Sequence, residues 1–338
     1  MSFKRLDQED VVISSEVVTG PVWTNNVTTL AEFYTSSVQA NSTPGSFYLD
    51  VYQTGSILDE AQVQFSLAYA DKVGSGSVLF NTGVTSASPT SVNYGTYRNL
   101  ILADEEANFT FGSVTSPYFY IISFERSRFK EKLLPGTFEL RLVTGTANVV
   151  LSDTSADVTS LTFTDAGRVY ELKGLMSGST TPITTGSPLF TASGSYGKIF
   201  PDIGVILLNG QALDAPAAAG GLELGTERNS NTNDRNARKL YNAIAAGGAF
   251  RMNNEETVTS NFVFVRARNG EFNYSTNPSY ITGSGEVRVP LLINDPRSYI
   301  TSVGLYNDNN DLLAVAKLSR PLLKDSRKEA LVRIKLDF

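Results

Sequence analysis

NFVFVRARNGEFNYSTNPSYITGSGEVRVPLLINDPRSYITSVGLYNDNNDLLAVAKLSRPLLKDSRKEALVRIKLDF, residues 261–338, is the stretch whose reading decides the fold. Near its end Val332, Ile334, Leu336 and Phe338 alternate with Arg333, Lys335 and Asp337, the two-residue period of a strand with one apolar face. Upstream, SVGLYNDNNDLLAVAKL at 302–318 sets two β-rich runs either side of Asn307 to Asp311. Short polar side chains of this kind stabilise turns and tolerate positive φ, so the run predicts a hairpin. Asn269-Gly270 predicts a second one, between residues 262–268 and the aromatic run of Phe272, Tyr274 and Tyr280. The region is therefore expected to be a small antiparallel sheet.

The rest of the chain has the same character. It is 338 residues long, more than one core usually grows to, which predicts two domains or an elongated multi-sheet body. Charged residues are 18% of the total, against an average of about 25%, and short strands with Ser, Thr, Asn and Gly turns fit that composition. The fold class expected is mainly β, with short antiparallel sheets, sandwich-like domains and a few short helices.

Three parts are expected. Residues 1–25 read as an extended arm lying along its own body or a partner, or as an ordinary first strand. Residues 26–145 form an N-terminal β domain. Residues 146–338 form a second β region with a helix near 234–246 and the C-terminal sheet. That helix is the clearest in the chain: Ala237, Leu240, Tyr241, Ile244 and Ala245 share a face, Asn233 or Asp234 caps it and Gly247-Gly248 stops it. It is expected to pack across the C-terminal sheet. Val27, Leu30, Tyr34 and Val38 predict a short amphipathic helix as well.

The chain holds no Cys and no His, which removes Cys and His metal ligation, thiol nucleophiles, His-based triads and disulfides together. Its net charge of −6 disfavours coating of nucleic acid. No signal peptide and no apolar run of about 18 residues is evident, so neither standard export nor a membrane span is expected. Carboxylates cluster at Asp59/Glu60, Asp104/Glu105/Glu106 and Glu255/Glu256, but in polar stretches typical of solvated turns rather than of a general acid and base. GSYGK at 194–198 lacks the glycine and the Ser/Thr that a phosphate loop requires.

Two groups of residues are candidate interfaces. Arg126, Arg128, Lys130 and Lys132 fall on alternate positions and would share one face of a strand, where they would dock an acidic neighbour, contact DNA, or simply be solvated. Tyr274, Tyr280, Tyr299 and Tyr306 form either a contact cluster or part of a core. Cations gather at Lys317, Arg320, Lys324, Arg327 and Lys328, and acids at Asp7, Glu9 and Asp10, a segregation that can select which subunit meets which.

RARNGEFNYSTNPSY at 266–280 and the whole of 300–338 resemble a C-terminal module of virion structural proteins of contractile-tailed phages, above all those infecting cyanobacteria. The GLY, Asn/Asp turn, LLAVAK hairpin is similar to one in tail-collar and baseplate proteins. Further similarity lies in FKRLDQEDVV, FSLAYADKVGSGS, NYGTYRNLILADEEANFTF, ISFERSRFKEKLLPGTFELRL and GKIFPDIGVILLNGQAL. The resemblance implies a non-enzymatic structural protein made in the host cytoplasm and carried in the phage tail, at the baseplate wedge. Its implied partners are other tail and baseplate proteins and copies of itself, with no cofactor, membrane or small-molecule substrate. A tail-fibre or collar adaptor, a neck or capsid-associated protein and a polysaccharide-degrading tail enzyme are the alternatives.

Overall fold

The computed structural model describes residues 4–36, 48–55, 61–77, 80, 88–175, 196–228 and 235–337. The fold is mainly β. Its strands are β1 (Val11–Pro21), β2 (Thr29–Leu30), β3 (Tyr34–Thr35), β4 (Tyr48–Tyr52), β5 (Val63–Asp71), β6 (Thr110–Phe111), β7 (Val114–Thr115), β8 (Tyr118–Phe124), β9 (Lys132–Leu133) and β10 (Glu139–Thr144). They continue as β11 (Ala147–Asp153), β12 (Thr162–Thr164), β13 (Gly167–Leu175), β14 (Gly197–Phe200), β15 (Val205–Asn209), β16 (Phe250–Arg251), β17 (Asn253–Ala267), β18 (Arg297–Tyr306), β19 (Leu312–Asp325) and β20 (Ala330–Asp337). Two compact units result: a core unit, Val18–Glu256, and a C-terminal unit made of Met1–Val17 with Thr257–Phe338.

The core unit is built on one antiparallel sheet in the order β2-β16-β10-β11-β13-β14-β15-β8-β5-β4-β3. Its central strands are apolar at nearly every position, YFYIISF in β8 and VILLN in β15, because both faces are covered. Tyr120, Ile122, Ile206 and Leu208 point into one buried cluster, and Phe119, Ile121, Val205 and Leu207 into another. The Pro89–Leu102 helix covers the second with Tyr94 and Ile101. Trp23 lies in the first, ringed by Phe65, Phe124 and Phe250.

Three expectations change here. The boundary placed near residue 145 falls inside the β10–β11 hairpin, where Thr144 pairs with Ala147 and Gly145 takes φ +53°. A two-residue turn inside a continuous sheet leaves no room for a domain linker. The second correction concerns the helix near 234–246, which runs Arg235–Gly247 and ends with Gly248 at φ +64° donating to Ile244 O. It packs on β10, β5 and β4 of the core unit rather than on the C-terminal sheet, since Ala237, Leu240, Ala243 and Ile244 belong to the main core. Its expected caps, Asn233 and Asp234, lie outside the described residues. Third, the segment from Val27 is not helical: Leu30 pairs with Phe250 in the β2–β16 bridge, and the β-branched Thr28 and Thr29 favour that extended form. Val38 lies outside the described residues.

The C-terminal unit stacks two thin layers. One is a sheet of order β1-β17-β20; the other is the β18–β19 hairpin. Val263, Val332 and Ile334 face Val303, Leu305, Ala316 and Leu318 between them, so the two-residue alternation near the end of the sequence is the core of this unit. Phe338 lies outside the described residues. The expected N-terminal arm contains β1, which joins this C-terminal sheet rather than the sheet of the core unit.

Candidate interaction surface

The hairpin is shaped by its turn. Asn307 Oδ1 accepts from Asn309 N and Asp311 N at 3.0 and 2.8 Å, its own N donates to Asp311 O at 3.0 Å, and Asn310 takes φ +63°. Tyr306 pairs across with Leu312. Both fold over Gly304, where a Cβ would stand 2.9 Å from the Tyr306 ring, so an aromatic side chain shields the backbone of a strand glycine. At the other end Lys324 is fully buried, and its ammonium uses all three hydrogens on Asn269 O, Asn273 Oδ1 and Asp325 O at 2.8–2.9 Å.

That clamp explains why Asn269-Gly270 does not make the expected hairpin. The loop after β17 is tied to the base of β19, Phe272 rather than Gly270 takes positive φ, and β17 pairs instead with β20 from Ser260↔Asp337 to Ala267↔Ala330.

The outward side chains of the C-terminal unit are unusually apolar. Ile13 is 68% exposed, Leu313 68%, Leu331 65% and Tyr299 64%. Val315, Leu291 and Ile293 are exposed in the same unit. Single exposed apolar residues are ordinary, but a concentration of them in one small unit marks a contact surface. Sequence reading missed most of these positions. The signal was present in LLAVAKL, where Leu313 and Val315 are apolar on the parity opposite to Ala314, Ala316 and Leu318.

The four tyrosines do not form one cluster. Tyr274 and Tyr280 pack edge to face at 5.8 Å, whereas Tyr299 and Tyr306 stand seven residues apart on β18, roughly 23 Å along the strand. Tyr274, Tyr299 and Tyr306 are exposed.

The basic quartet lies in the core unit, on a 3-10 turn at Arg126–Arg128 and on β9, so no single strand face presents it. Arg126 curls back onto the Phe129 and Lys130 carbonyls and lies over the Phe129 ring at 4.6 Å. Arg128 donates to Thr24 Oγ1 at 2.7 Å, and Lys130 pairs with Glu256. Lys132 pairs with Glu255 at 3.1 Å, and Glu255 also faces Arg168 at 3.8 Å. All four cations thus have partners within the chain, and Glu255 and Glu256 serve as counter-ions. Glu105 and Glu106 are exposed beside the Asp104 turn, and Asp59 and Glu60 lie outside the described residues. Lys198, the last residue of GSYGK, is within β14 opposite Glu171 and Leu207, and burial holds its ammonium below the usual lysine range.

Arg168 extends this network to Asp202, bonding it through Nη2 at 2.8 Å and the backbone N at 2.7 Å. Burial opposes ionisation of Asp202, but these bonds prevail and hold its pKa below the ordinary 3.8. A carboxylate with a depressed folded pKa contributes stability that is complete above its unfolded value and is lost as pH falls through the folded one. Urea unfolding of an Asp202→Asn variant is therefore expected to show a shallower loss of stability than the parent between about pH 5 and pH 2, with equal slopes contradicting the assignment.

Among the described residues no three acidic groups gather as a metal site, and no helix is long and apolar enough to cross a membrane. The chain matches no family model, and no curated protein or solved structure is significantly similar to it.

Proposed function

We propose that this chain is a structural, non-enzymatic subunit of the tail of a contractile-tailed phage, placed at the baseplate wedge, where it holds neighbouring subunits in register. The observation that carries the reading is the concentration of exposed apolar side chains on β1, the β18–β19 hairpin and β20 of the C-terminal unit. A protein that works by being gripped needs such surface, with aromatic and aliphatic anchors whose burial supplies the binding energy. The setting is taken from the resemblance read in residues 266–280 and 300–338 of the sequence. The complete lack of Cys and His withholds the commonest nucleophiles, bases and soft metal ligands from any catalytic role.

Limited proteolysis tests the reading. Segments around Val11–Val17 and the 307–311 turn are expected to be cut in the isolated protein and protected in assembled particles. Equal cutting in both states, or absence of the chain from purified particles, counts against it.

A further inference from the structure

Building on that reading, we propose that one of the partners is a second copy of this chain, joined through the C-terminal sheet: the β1 edge of one copy pairs with the β20 edge of the next. The strands β1 and β20 are the two ends of the β1-β17-β20 run, so among the described residues each has one side bonded to β17 and no strand on the other. An open edge is a row of unpaired N–H and C=O groups, and monomeric proteins usually blunt it with Pro, Lys, bulges or cover. The hairpin strand β19 has such devices: Pro321, Lys317, Arg320 and an irregular register between Lys317 and Leu322, which pair with Ser302 and Ile300 of β18. From Val11 to Val17 β1 carries no Pro, Lys or Arg, and it is exposed on both faces.

Charge selects the partner. The only charge within β1 is Glu16, it follows Asp7, Glu9 and Asp10, and no Lys or Arg occurs between Leu6 and Thr35. On β20 the exposed cations are Arg333 and Lys335, which lie over the Phe262 ring at 5.6 and 5.9 Å. Lys335 is balanced by Asp337 at 3.1 Å, whereas neither Arg333 nor Glu16 has an ion-pair partner among the described residues. Pairing β1 with β1 gathers carboxylates, and pairing β20 with β20 sets cations against cations. Only β1 against β20 joins opposite charges across neighbouring strands. Such a contact is heterologous, so it closes into a ring or extends as a filament according to the rotation between copies.

The chain has no native cysteine, which makes the test direct. Full-length Glu16→Cys and Arg333→Cys proteins, with Ser14→Cys and Lys335→Cys to scan register, are oxidised separately and as β1-with-β20 mixtures. Within one copy, strands separated by β17 are roughly 10 Å apart, beyond the reach of a disulfide, so every cross-link between these sites is between copies. At least one mixture is expected to give a cross-linked dimer, and no single variant alone. Glu16→Lys is expected to weaken self-association roughly tenfold, and adding Arg333→Glu to the same chain to restore it. Cross-linking by a single variant alone overturns the proposal in favour of a two-fold contact. A monomer in sedimentation at all concentrations, with no cross-link in any mixture, overturns it entirely. If that monomeric chain is nevertheless found protected in particles, the structural role stands and only self-pairing fails; self-pairing by a chain absent from particles has the reverse meaning.

Discussion

Replacing Trp23 by alanine is expected to lower the stability of the core unit by about 3–5 kcal/mol, the cost of deleting a large aromatic from a packed core. Trp23 is 2% exposed, and its ring meets those of Phe250 at 4.9 Å, Phe124 at 5.6 Å and Phe65 at 6.1 Å. Those partners come from β16, β8 and β5, so the indole joins strands that lie far apart in sheet order. Its N–H finds no hydrogen-bond acceptor among the described residues. Trp23→Phe removes that unpaired donor and keeps most of the packing, and its cost is expected to stay below roughly 1.5 kcal/mol. Urea unfolding followed by circular dichroism separates the two variants. Equal losses for both would show that the N–H, not the ring volume, matters.

Asp71→Ala is expected to cost about 3 kcal/mol, because breaking a buried ion pair from one side strands the other partner. The Asp71 carboxylate is fully buried and accepts from Arg228 Nε at 3.0 Å, Ser75 Oγ at 2.9 Å, Val73 N at 3.0 Å and Tyr69 Oη at 3.3 Å. Burial and this same carboxylate push the Tyr69 phenol far above its usual range, so it remains a neutral donor. Arg228 lies over the Tyr118 ring at 4.5 Å, and Tyr118 donates to Asp214 at 2.8 Å. The network thereby fixes the irregular segment that carries Arg228 against the sheet. Arg228→Ala leaves a carboxylate buried with only neutral donors and is expected to cost as much. In the double variant the two losses are expected to fall short of additive by roughly 1–2 kcal/mol, since one interaction cannot be lost twice. Full additivity in denaturant unfolding would show that the two groups act independently.

The parts of this fold legible in the sequence are those set by local patterns. Val332, Ile334 and Leu336 alternate and form a core, and the Asn/Asp run at 307–311 makes its turn, because short-range chemistry alone decides both. The helix after residue 234 was legible for the same reason, but its docking site was not: Leu240 and Ile244 suit any apolar surface, and only tertiary packing chose β10. Likewise Asn269-Gly270 carries a hairpin signature that Lys324, more than fifty residues later, overrules by binding Asn269 O. The basic quartet at 126–132 misleads because its counter-ions, Glu255 and Glu256, lie more than a hundred residues away. The exposure of β1 was not legible because Val11, Val12 and Ile13 suit an arm laid on its own body as well as one laid on a partner, and nothing local decides between them.

The central claim is that this chain works through surfaces held by its neighbours. Reconstructing an intact virion at a resolution that traces the chain tests it most directly. The account predicts density for this protein in the tail, with β1, the β18–β19 hairpin and β20 buried against adjacent subunits. Finding those strands open to solvent in the particle, or the chain absent from it, would contradict the account.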